Sequence, residues 1–189
     1  GTDAAICSGD TAILGGAPTA TGGSGVYNYT WSPTSGLDDA NSANPLATPT
    51  FSRTYFLSVQ DSIAGCISPT DTVEVTVNPS PSSTLLGLTP FICEEDTGIL
   101  QILFGAGTGP FAVEITNGVD TTLYPSLSDG DSIFVTPDST LTYEVVSILD
   151  SATLCDGAVF NGAPIINVRP LPTAILSSLD TIICEGDVA

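Results

Sequence analysis

One segment of this chain occurs three times. Residues 79–96 (PSPSSTLLGLTPFICEED) return without a gap at residues 170–187 (PLPTAILSSLDTIICEGD), and a shortened copy opens the chain at residues 6–10 (ICSGD). Self-similarity at a fixed period is the signature of a tandem array. The sequence therefore predicts one complete repeat, a second complete repeat and the opening of a third. We expect the chain to be part of a longer array.

The duplicated segment divides the chain into domains. Residues 1–79 form repeat 1, residues 80–170 form repeat 2, and residues 171–189 form a linker and the start of repeat 3. Each complete repeat has about the size of a small β-sandwich, which needs roughly 100 residues. Repeat 1 lacks a stretch equivalent to residues 84–89 (TLLGLT), so we expect its first strand to be missing.

The repeats are predicted to be built from strands. In residues 26–31 (VYNYTW), Tyr27, Tyr29 and Trp31 alternate with smaller residues, which indicates a half-buried strand whose aromatic face lies in the core. Trp31 is the only tryptophan and the expected core anchor of repeat 1. Closing hairpins are predicted from residues 53–60 with 72–77, and from residues 141–149 with 164–168. No segment combines helical periodicity with a cap, so the predicted fold class is all-β, with two sandwiches in tandem.

Charge and composition exclude several functions. The chain has 21 acidic residues, two arginines, no lysine and no histidine, for a formal charge of −19. Such a charge repels nucleic acid and anionic membranes, and no apolar run approaches the roughly 20 residues of a membrane span. Without histidine, neither a Ser-His-Asp nor a Cys-His arrangement is possible. Carboxylate pairs such as Glu94 and Glu95 are best explained by chance among so many acids. We therefore expect no enzymatic activity, no nucleic-acid partner and no membrane insertion.

The motifs of repeat 1 are distinctive in combination. They include ICSGD, GGSG, YxYxWSPTSGL, DDxNSANPxATPT, TYxLSVxD and a Gly-Cys pair before a final Thr/Val strand. This combination resembles the PKD-like, immunoglobulin-like repeats of very large surface proteins of the Bacteroidota, including gliding-motility adhesins. Repeat 2 matches more loosely and lacks the Trp-Ser-Pro motif. The resemblance implies tandem immunoglobulin-like (PKD-like) β-sandwich domains, type IX secretion and a place in an extracellular cell-surface filament.

Three functional hypotheses remain open. The favoured one is a structural and adhesive repeat segment of a filament or stalk, whose partners are neighbouring repeats and other filament chains. The second is an accessory spacer or carbohydrate-binding module of a secreted polysaccharide-degrading enzyme. The third is a strand-donating filament subunit, in which residues 173–189 complete repeat 1 of a neighbour. Against the third, residues 184–187 would duplicate residues 7–10 of the acceptor, and continuation of one covalent chain is simpler.

Five cysteines in a short acidic chain indicate an oxidising, extracellular setting. Each complete repeat has one cysteine before its first glycine-punctuated strand and one in its closing hairpin loop. We therefore predict the disulfides Cys7–Cys66 and Cys93–Cys155, with Cys184 unpaired. A plain immunoglobulin topology opposes this pairing, because a cysteine between the first two strands lies at the opposite end from the last hairpin.

The chain offers few ligands for a metal or cofactor. The cysteines are isolated and lack the close spacing of zinc sites. Weak calcium candidates are Asp38, Asp39 and Asn41 in one loop, and Asp129 and Asp131 in another, because they carry hard oxygen ligands. Neither loop matches an EF-hand, and such residues are also ordinary in turns. No cofactor is predicted.

Aspartate precedes serine or threonine more often than chance predicts. Eight such pairs are followed by Ala, Ile, Val or Thr, a tripeptide that resembles the O-glycosylation acceptor of Bacteroidota surface proteins. Turns entering strands also favour Asp followed by Ser or Thr. The hypothesis requires outward-facing hydroxyls. The candidate acceptors are Thr11, Ser62, Thr72, Thr121, Ser132, Ser139, Ser151 and Thr181.

Overall fold

The computed structural model describes residues 2–177. Every regular secondary-structure element within these residues is a β-strand. The strands of repeat 1 are β1 (Ala4–Cys7), β2 (Ala12–Ile13), β3 (Tyr27–Ser32), β4 (Leu46–Ala47), β5 (Arg53–Asp61) and β6 (Asp71–Asn78). The strands of repeat 2 are β7 (Ser82–Gly87), β8 (Phe91–Cys93), β9 (Gly98–Ala106), β10 (Phe111–Thr116), β11 (Thr121–Leu127), β12 (Ser132–Val135), β13 (Leu141–Thr142), β14 (Glu144–Asp150), β15 (Val159–Asn161) and β16 (Ile165–Arg169). The all-β prediction is confirmed.

Each repeat forms its own sheets. In repeat 1 the order β1-β6-β5-β3 makes a four-stranded sheet, and β2 pairs with β4. In repeat 2 the sheets have the orders β12-β9-β7-β15, β11-β10-β14 and β13-β16-β8. Most pairs are antiparallel, but β1–β6, β7–β15 and β8–β16 are parallel. Each repeat is thus a β-sandwich in which a strand near its start, β1 or β8, lies parallel to its closing strand, β6 or β16.

Two separate cores hold the sandwiches together. Trp31, Tyr55 and Val75 are among the buried residues of repeat 1, while Leu85, Leu100 and Ile148 belong to the core of repeat 2. Trp31 is only 3% exposed and Tyr29 packs against the same cluster. The alternating aromatic strand therefore faces the core, as predicted. A sugar-stacking platform is not available on that face.

The closing hairpins differ between the repeats. In repeat 1, β5 pairs antiparallel with β6 as predicted. In repeat 2 the predicted first strand, residues 141–149, is divided at Tyr143, whose N–H donates to the Pro164 carbonyl and whose side chain is buried. The chain then changes sheets, so β13 pairs with β16 while β14 pairs with β10. The bend at Tyr143 is the reason that a single hairpin does not form.

Repeat 2 contains a strand for which the described part of repeat 1 has no counterpart. Strand β7 pairs with β9 on one side and with β15 on the other, and its Leu85 is 1% exposed. Of the apolar segment after the Pro79–Pro81 seam, only Leu85 is buried inside repeat 2, while Leu86 is 38% and Leu88 50% exposed. The counterpart of β9 in repeat 1 is β2, which is two residues long where β9 has nine. After β2 the chain turns at Gly15, whose φ is positive, instead of continuing as a strand.

Candidate functional site

A disulfide joins the two repeats. Cys7 of repeat 1 is bonded to Cys155 of repeat 2, with their Cα atoms 5.5 Å apart across a sequence separation of 148 residues. Cys66 and Cys93 are free and exposed. The predicted pairs Cys7–Cys66 and Cys93–Cys155 are therefore wrong. Cys184 lies outside the described residues.

The position of Cys7 along strand β6 explains this pairing. Strand β1 runs parallel to β6, and Cys7 lies opposite Asn78, the last residue of β6. Cys66 lies in the loop before β6 begins, so the two cysteines of repeat 1 are at opposite ends of an eight-residue strand. At about 3.3 Å per residue, that strand separates them by more than 20 Å. A disulfide within the repeat would require the sheet to be dismantled.

The same arrangement brings Cys7 to the next repeat. After Asn78 the chain passes through the seam into β7, and the Ala158 N–H donates to the Pro81 carbonyl at 3.0 Å. Ala158 lies three residues after Cys155. The end of β6 therefore lies beside the closing loop of the following repeat, and the early cysteine of one repeat meets the late cysteine of the next.

Asp150 organises the turn that carries Cys155. Its side chain is fully buried. Its carboxylate accepts hydrogen bonds from the N–H groups of Thr108 at 2.7 Å, Ala152 at 2.9 Å and Thr153 at 3.3 Å. Its own N–H donates to the Cys155 carbonyl at 2.9 Å. Backbone and side chain of one residue thus fix the turn, and through it the position of the Cys155 sulfur.

Asp61 organises the turn that carries Cys66 in the same way. Its carboxylate accepts from the N–H groups of Ser24 at 2.6 Å, Ile63 at 2.9 Å and Ala64 at 2.9 Å. Its N–H donates to the Cys66 carbonyl at 2.9 Å. A glycine at positive φ closes over each carboxylate, Gly23 on Asp61 and Gly107 on Asp150, where a Cβ atom would press on a carboxylate oxygen.

The sequence signal for these turns is Asp-Ser-x-x-x-Cys, which occurs at residues 61–66 and 150–155. From the sequence, the two Asp-Ser pairs were predicted as glycosylation candidates or as ordinary turn residues, and their control of a turn that carries a cysteine was missed. The second half of the signal is a Gly-[Ser/Thr]-Gly triplet at residues 23–25 and 107–109. Its middle residue supplies an N–H donor to the carboxylate, and its first glycine lets the backbone pass close to a carboxylate oxygen.

Hydrogen bonding lowers the pKa of both aspartates. For Asp61 the N–H of Ala64 has the largest effect, followed by the N–H and hydroxyl of Ser24, and the pKa falls well below its usual range. For Asp150, burial by itself raises the pKa, but the N–H groups of Thr108, Ala152, Gly109 and Thr153 together outweigh it and lower the pKa. Carboxylates that accept several backbone N–H bonds behave in this way.

We therefore predict that the turns weaken in acid. A carboxyl group whose folded pKa is depressed stabilises the fold above its unfolded pKa of about 3.9, and that contribution is lost as the pH falls through the folded pKa. The free energy of unfolding should be constant from pH 7 to about pH 5 and then decrease. Urea unfolding measured between pH 7 and pH 2.5 tests this, with Asp150→Asn as the comparison. The variant should lose less stability in acid than the parent, and equal losses would contradict the assignment.

The calcium candidates lie in turns. In the first loop, Oδ1 of Asp38 accepts from the Leu46 N–H at 2.7 Å, and Oδ1 of Asp39 accepts from the Asn41 N–H at 2.8 Å. In the second, Oδ1 of Asp129 accepts from the Phe104 N–H, while Oδ2 of Asp131 accepts from the Ser128 N–H. Among residues 2–177, no group of three or more His, Cys, Asp or Glu side chains is arranged to hold a metal ion. These carboxylates have a structural use as turn acceptors, and calcium binding by them stays an untested hypothesis.

The proposed glycan acceptors are at the surface. Seven candidates lie within the described residues, and all seven are exposed: Thr11, Ser62, Thr72, Thr121, Ser132, Ser139 and Ser151. Thr181 lies outside the described residues. Exposure is required for modification, so the hypothesis keeps all seven positions.

Comparison with known proteins gives similarity of structure alone. No family model and no curated protein matches the chain. An amphioxus IgVJ-C2 molecule is 12% identical with a TM-score of 0.41, over 86% of this chain and 99% of that one. Fibronectin(III)-like modules of Clostridium thermocellum CbhA are 13% identical with a TM-score of 0.40, over 94% and 96%. Titin domains I67–I69 are 10% identical with a TM-score of 0.46, over 90% and 63%.

The strands and cores described above show the architecture by themselves: two β-sandwiches in tandem. None of the described residues, 2–177, forms a helix with the length and hydropathy needed to cross a membrane. The disulfide is of the kind that persists in oxidising compartments such as the cell exterior.

Proposed function

We propose that this chain is a structural and adhesive repeat segment of an extracellular surface filament and has no catalytic role. The observation that carries the proposal is the Cys7–Cys155 disulfide, because it ties consecutive sandwiches to each other instead of closing each one. A covalent bond at the seam resists separation and bending of neighbouring domains. These are properties that a load-bearing stalk requires.

The surroundings of the seam support the same function. Pro79 and Pro81 precede β7, and proline fixes φ and disfavours helix at the residue before it. The negative charge keeps a long array soluble and prevents lateral association. The motifs that resemble Bacteroidota adhesin repeats support export by type IX secretion to the cell surface.

The accessory-module alternative is less well supported. The aromatic strand that could have stacked on sugars does not serve for this, because Trp31 is buried and Tyr29 packs on the core. The strand-donating alternative is also less well supported, because continuation of one covalent chain accounts for the repeated segment at residues 79–96 and 170–187 more simply.

The proposed stalk function predicts a stiff connection between the repeats. We expect small-angle X-ray scattering of the oxidised chain to fit a narrow distribution of interdomain angles. Reduction should broaden that distribution, because the Cys7–Cys155 bond is one of two covalent connections at the seam. The Cys93→Ser variant is the matched control, since its thiol is exposed and free. A broad distribution in the oxidised protein would contradict the stalk proposal.

A surface filament is also expected to carry the proposed O-glycans. Sugars on residues at the entry to strands would cover exposed strand edges and hinder aggregation. Intact-mass measurement of the protein from its native host should exceed the mass of the polypeptide, with glycans mapped to at least two of the eight acceptors. Replacing the aspartate before an occupied position by alanine should remove the glycan there. A mass equal to that of the bare chain would exclude the modification.

A further inference from the structure

A buried tyrosine has a different environment in each repeat. Tyr55 of repeat 1 and Tyr143 of repeat 2 occupy equivalent positions, because a Thr-Pro pair precedes each of them by the same number of residues. In repeat 1 the loop after β3 covers the tyrosine. The Tyr55 hydroxyl donates to the Ser35 carbonyl at 3.0 Å, and Gly36 packs so closely that a Cβ atom there would lie 2.9 Å from the hydroxyl oxygen. The hydroxyl of Tyr55 therefore has both a partner and a cover.

Repeat 2 lacks this cover. After β10 the chain turns back at residues 117–120 and continues as β11, which leaves a pocket of about 240 Å³ beside Tyr143. The Tyr143 side chain is only 6% exposed, yet its hydroxyl has no hydrogen-bond partner within the described residues, 2–177, and keeps contact with solvent. A buried side chain thus presents an unpartnered hydroxyl to an open pocket.

Two further aromatic side chains line this pocket. Burial raises the pKa of Tyr143, and the neighbouring Tyr124 hydroxyl raises it further, so the two phenol groups lie close to each other. Phe134 lies on the edge strand β12 and is 66% exposed. The pocket therefore combines an exposed aromatic ring, which offers an apolar face, with two phenols that offer hydroxyl groups.

The turn after β10 adds polar groups to the lining. Oδ1 of Asn117 accepts hydrogen bonds from the N–H groups of Val119 at 2.9 Å and Asp120 at 2.7 Å. These bonds fix the amide plane and leave the Asn117 NH₂ group as a donor. Asp120 contributes a carboxylate and Thr122 a hydroxyl. Donors thus outnumber the single charged acceptor.

This lining selects a class of ligand. A sugar ring has hydroxyl groups that both donate and accept, and C–H groups that pack on an aromatic face. An acidic ligand is repelled by the formal charge of −19 and by Asp120 in the pocket. An organic cation could contact the rings, but it has no acceptors for the hydroxyl and amide donors. The volume is below the roughly 300–1,000 Å³ of pockets for drug-sized ligands and has room for about one sugar ring.

We propose that this pocket of repeat 2 binds a neutral saccharide through one sugar ring. The two phenols and the Asn117 amide donate to its hydroxyl oxygens, the Asp120 carboxylate accepts from its hydroxyl groups, and the Phe134 ring packs on its C–H groups. Repeat 1 does not share this site, because the loop after β3 fills the equivalent place. The inference rests on the proposed adhesive function and deepens it by naming the class of ligand.

The test uses the oxidised 189-residue chain from a host that adds no O-glycans, so that Thr121 beside the pocket is unmodified. Saturation-transfer NMR is recorded with the methyl glycosides of glucose, galactose, mannose and N-acetylglucosamine. We expect at least one of them to bind with a Kd of about 1 mM, the affinity that ordinary binding energy per atom gives a ligand of this size. Glucuronic acid and tetramethylammonium represent acidic and cationic ligands. Tighter binding of either one, or no binding of the four glycosides, would overturn the proposal.

The position of the bound sugar can be read from the side-chain amides. In ¹⁵N spectra, the NH₂ signals of Asn117 should shift when the glycoside that binds is added. The NH₂ signals of Asn44 should not, because that group lies in repeat 1 and already donates to the carbonyls of Leu14 and Gly16 at 3.1 Å. Shifts at Asn44 without shifts at Asn117 would contradict the assignment to repeat 2.

Matched variants test the individual groups. Tyr143→Phe should weaken binding about two- to tenfold, because it removes one hydrogen bond to the ligand and none within the described part of the protein. Tyr55→Phe, the equivalent change in repeat 1, should leave the affinity unchanged. Phe134→Ala should also weaken binding, whereas Leu123→Ala, on the neighbouring edge strand β11 and 57% exposed, should not. Parental affinity in both Tyr143→Phe and Phe134→Ala would refute the saccharide site, while the scattering experiment would still test the stalk function separately.

Discussion

Reduction of the Cys7–Cys155 disulfide is expected to lower the first thermal unfolding transition of this protein by about 20 °C. The bond spans the seam, so it crosslinks whichever repeat unfolds first to the repeat that is still folded. If repeat 2 unfolds, its chain remains held at Cys155, and also near Pro81, where it leaves repeat 1. If repeat 1 unfolds, it remains held at Cys7 and at its last strand. Either loop has roughly 70 to 80 residues, for which the chain-entropy model gives about 4 kcal/mol.

That free energy has a large effect on a small domain. For a domain of 60–100 residues, 1 kcal/mol changes the melting temperature by roughly 4–8 °C. The bond also couples the two unfolding events, because the stabilisation lasts only while the other repeat is folded. The oxidised chain should therefore unfold over a narrow range, whereas the reduced chain should show two separated transitions.

The single tryptophan makes this measurable. Trp31 is buried in repeat 1, so its fluorescence reports the unfolding of that repeat, while calorimetry reports both. The Cys7→Ser and Cys155→Ser variants should behave like the reduced protein, and Cys93→Ser should behave like the oxidised parent. A first transition that is the same in the oxidised protein and in Cys7→Ser would show that the bond does not couple the repeats.

The local alternation of apolar and polar residues was sufficient to predict several of the main strands from the sequence. Alternation over Tyr27, Tyr29 and Trp31 correctly predicted both a strand and its buried face, because a two-residue period has one geometric solution in a half-buried sheet. Strands β3, β5 and β6 were placed within one residue of their observed ends. These strands carry their own signal in β-branched and aromatic residues.

The cysteine pairing could not be predicted by the same reasoning. The prediction assumed that the early and the late cysteine of each repeat bond to each other, so Cys7 was paired with Cys66. Pairing depends on which end of a strand each cysteine occupies, and that is set by the parallel contact of β1 with β6. A parallel pair joins segments about 70 residues apart, and no local pattern specifies it. Short strands such as β4 and β15 were missed for a related reason. They have too few residues to show a pattern of their own and are strands only because they pair with other segments.

The turn aspartates were also missed, although their motif is present twice. Asp-Ser is common in turns and attracts attention as a possible modification site, whereas the function of Asp61 and Asp150 depends on glycine triplets about 40 residues earlier. Only the folded chain brings these segments together. The cysteine at the end of each motif then becomes the residue whose position the aspartate controls.

Replacing Asp150 by alanine is expected to destabilise repeat 2 by about 3 kcal/mol or more. The Asp150 carboxylate is the acceptor for three backbone N–H groups in a fully buried position. Hydrogen bonds to a charged acceptor contribute about 1.5–3 kcal/mol each, and buried donors left without an acceptor are costly. Measuring urea unfolding of the reduced proteins removes the contribution of the disulfide, so the loss is assigned to the turn. Asp150→Asn should fall between alanine and the parent, because one oxygen acceptor remains.

Asp156→Ala is the matched control for this change. Asp156 lies in the same loop but is exposed, and exposed substitutions of this kind usually change stability by no more than about 0.5 kcal/mol. Under oxidising conditions, Asp150→Ala should also leave a larger fraction of Cys155 as free thiol than Asp156→Ala does, because the turn no longer holds its sulfur beside Cys7. The thiol fraction can be measured by alkylation and mass spectrometry. If Asp150→Ala is as stable as the control and equally oxidised, the turn must be held by its backbone alone, and the aspartate would have no part in positioning the seam disulfide.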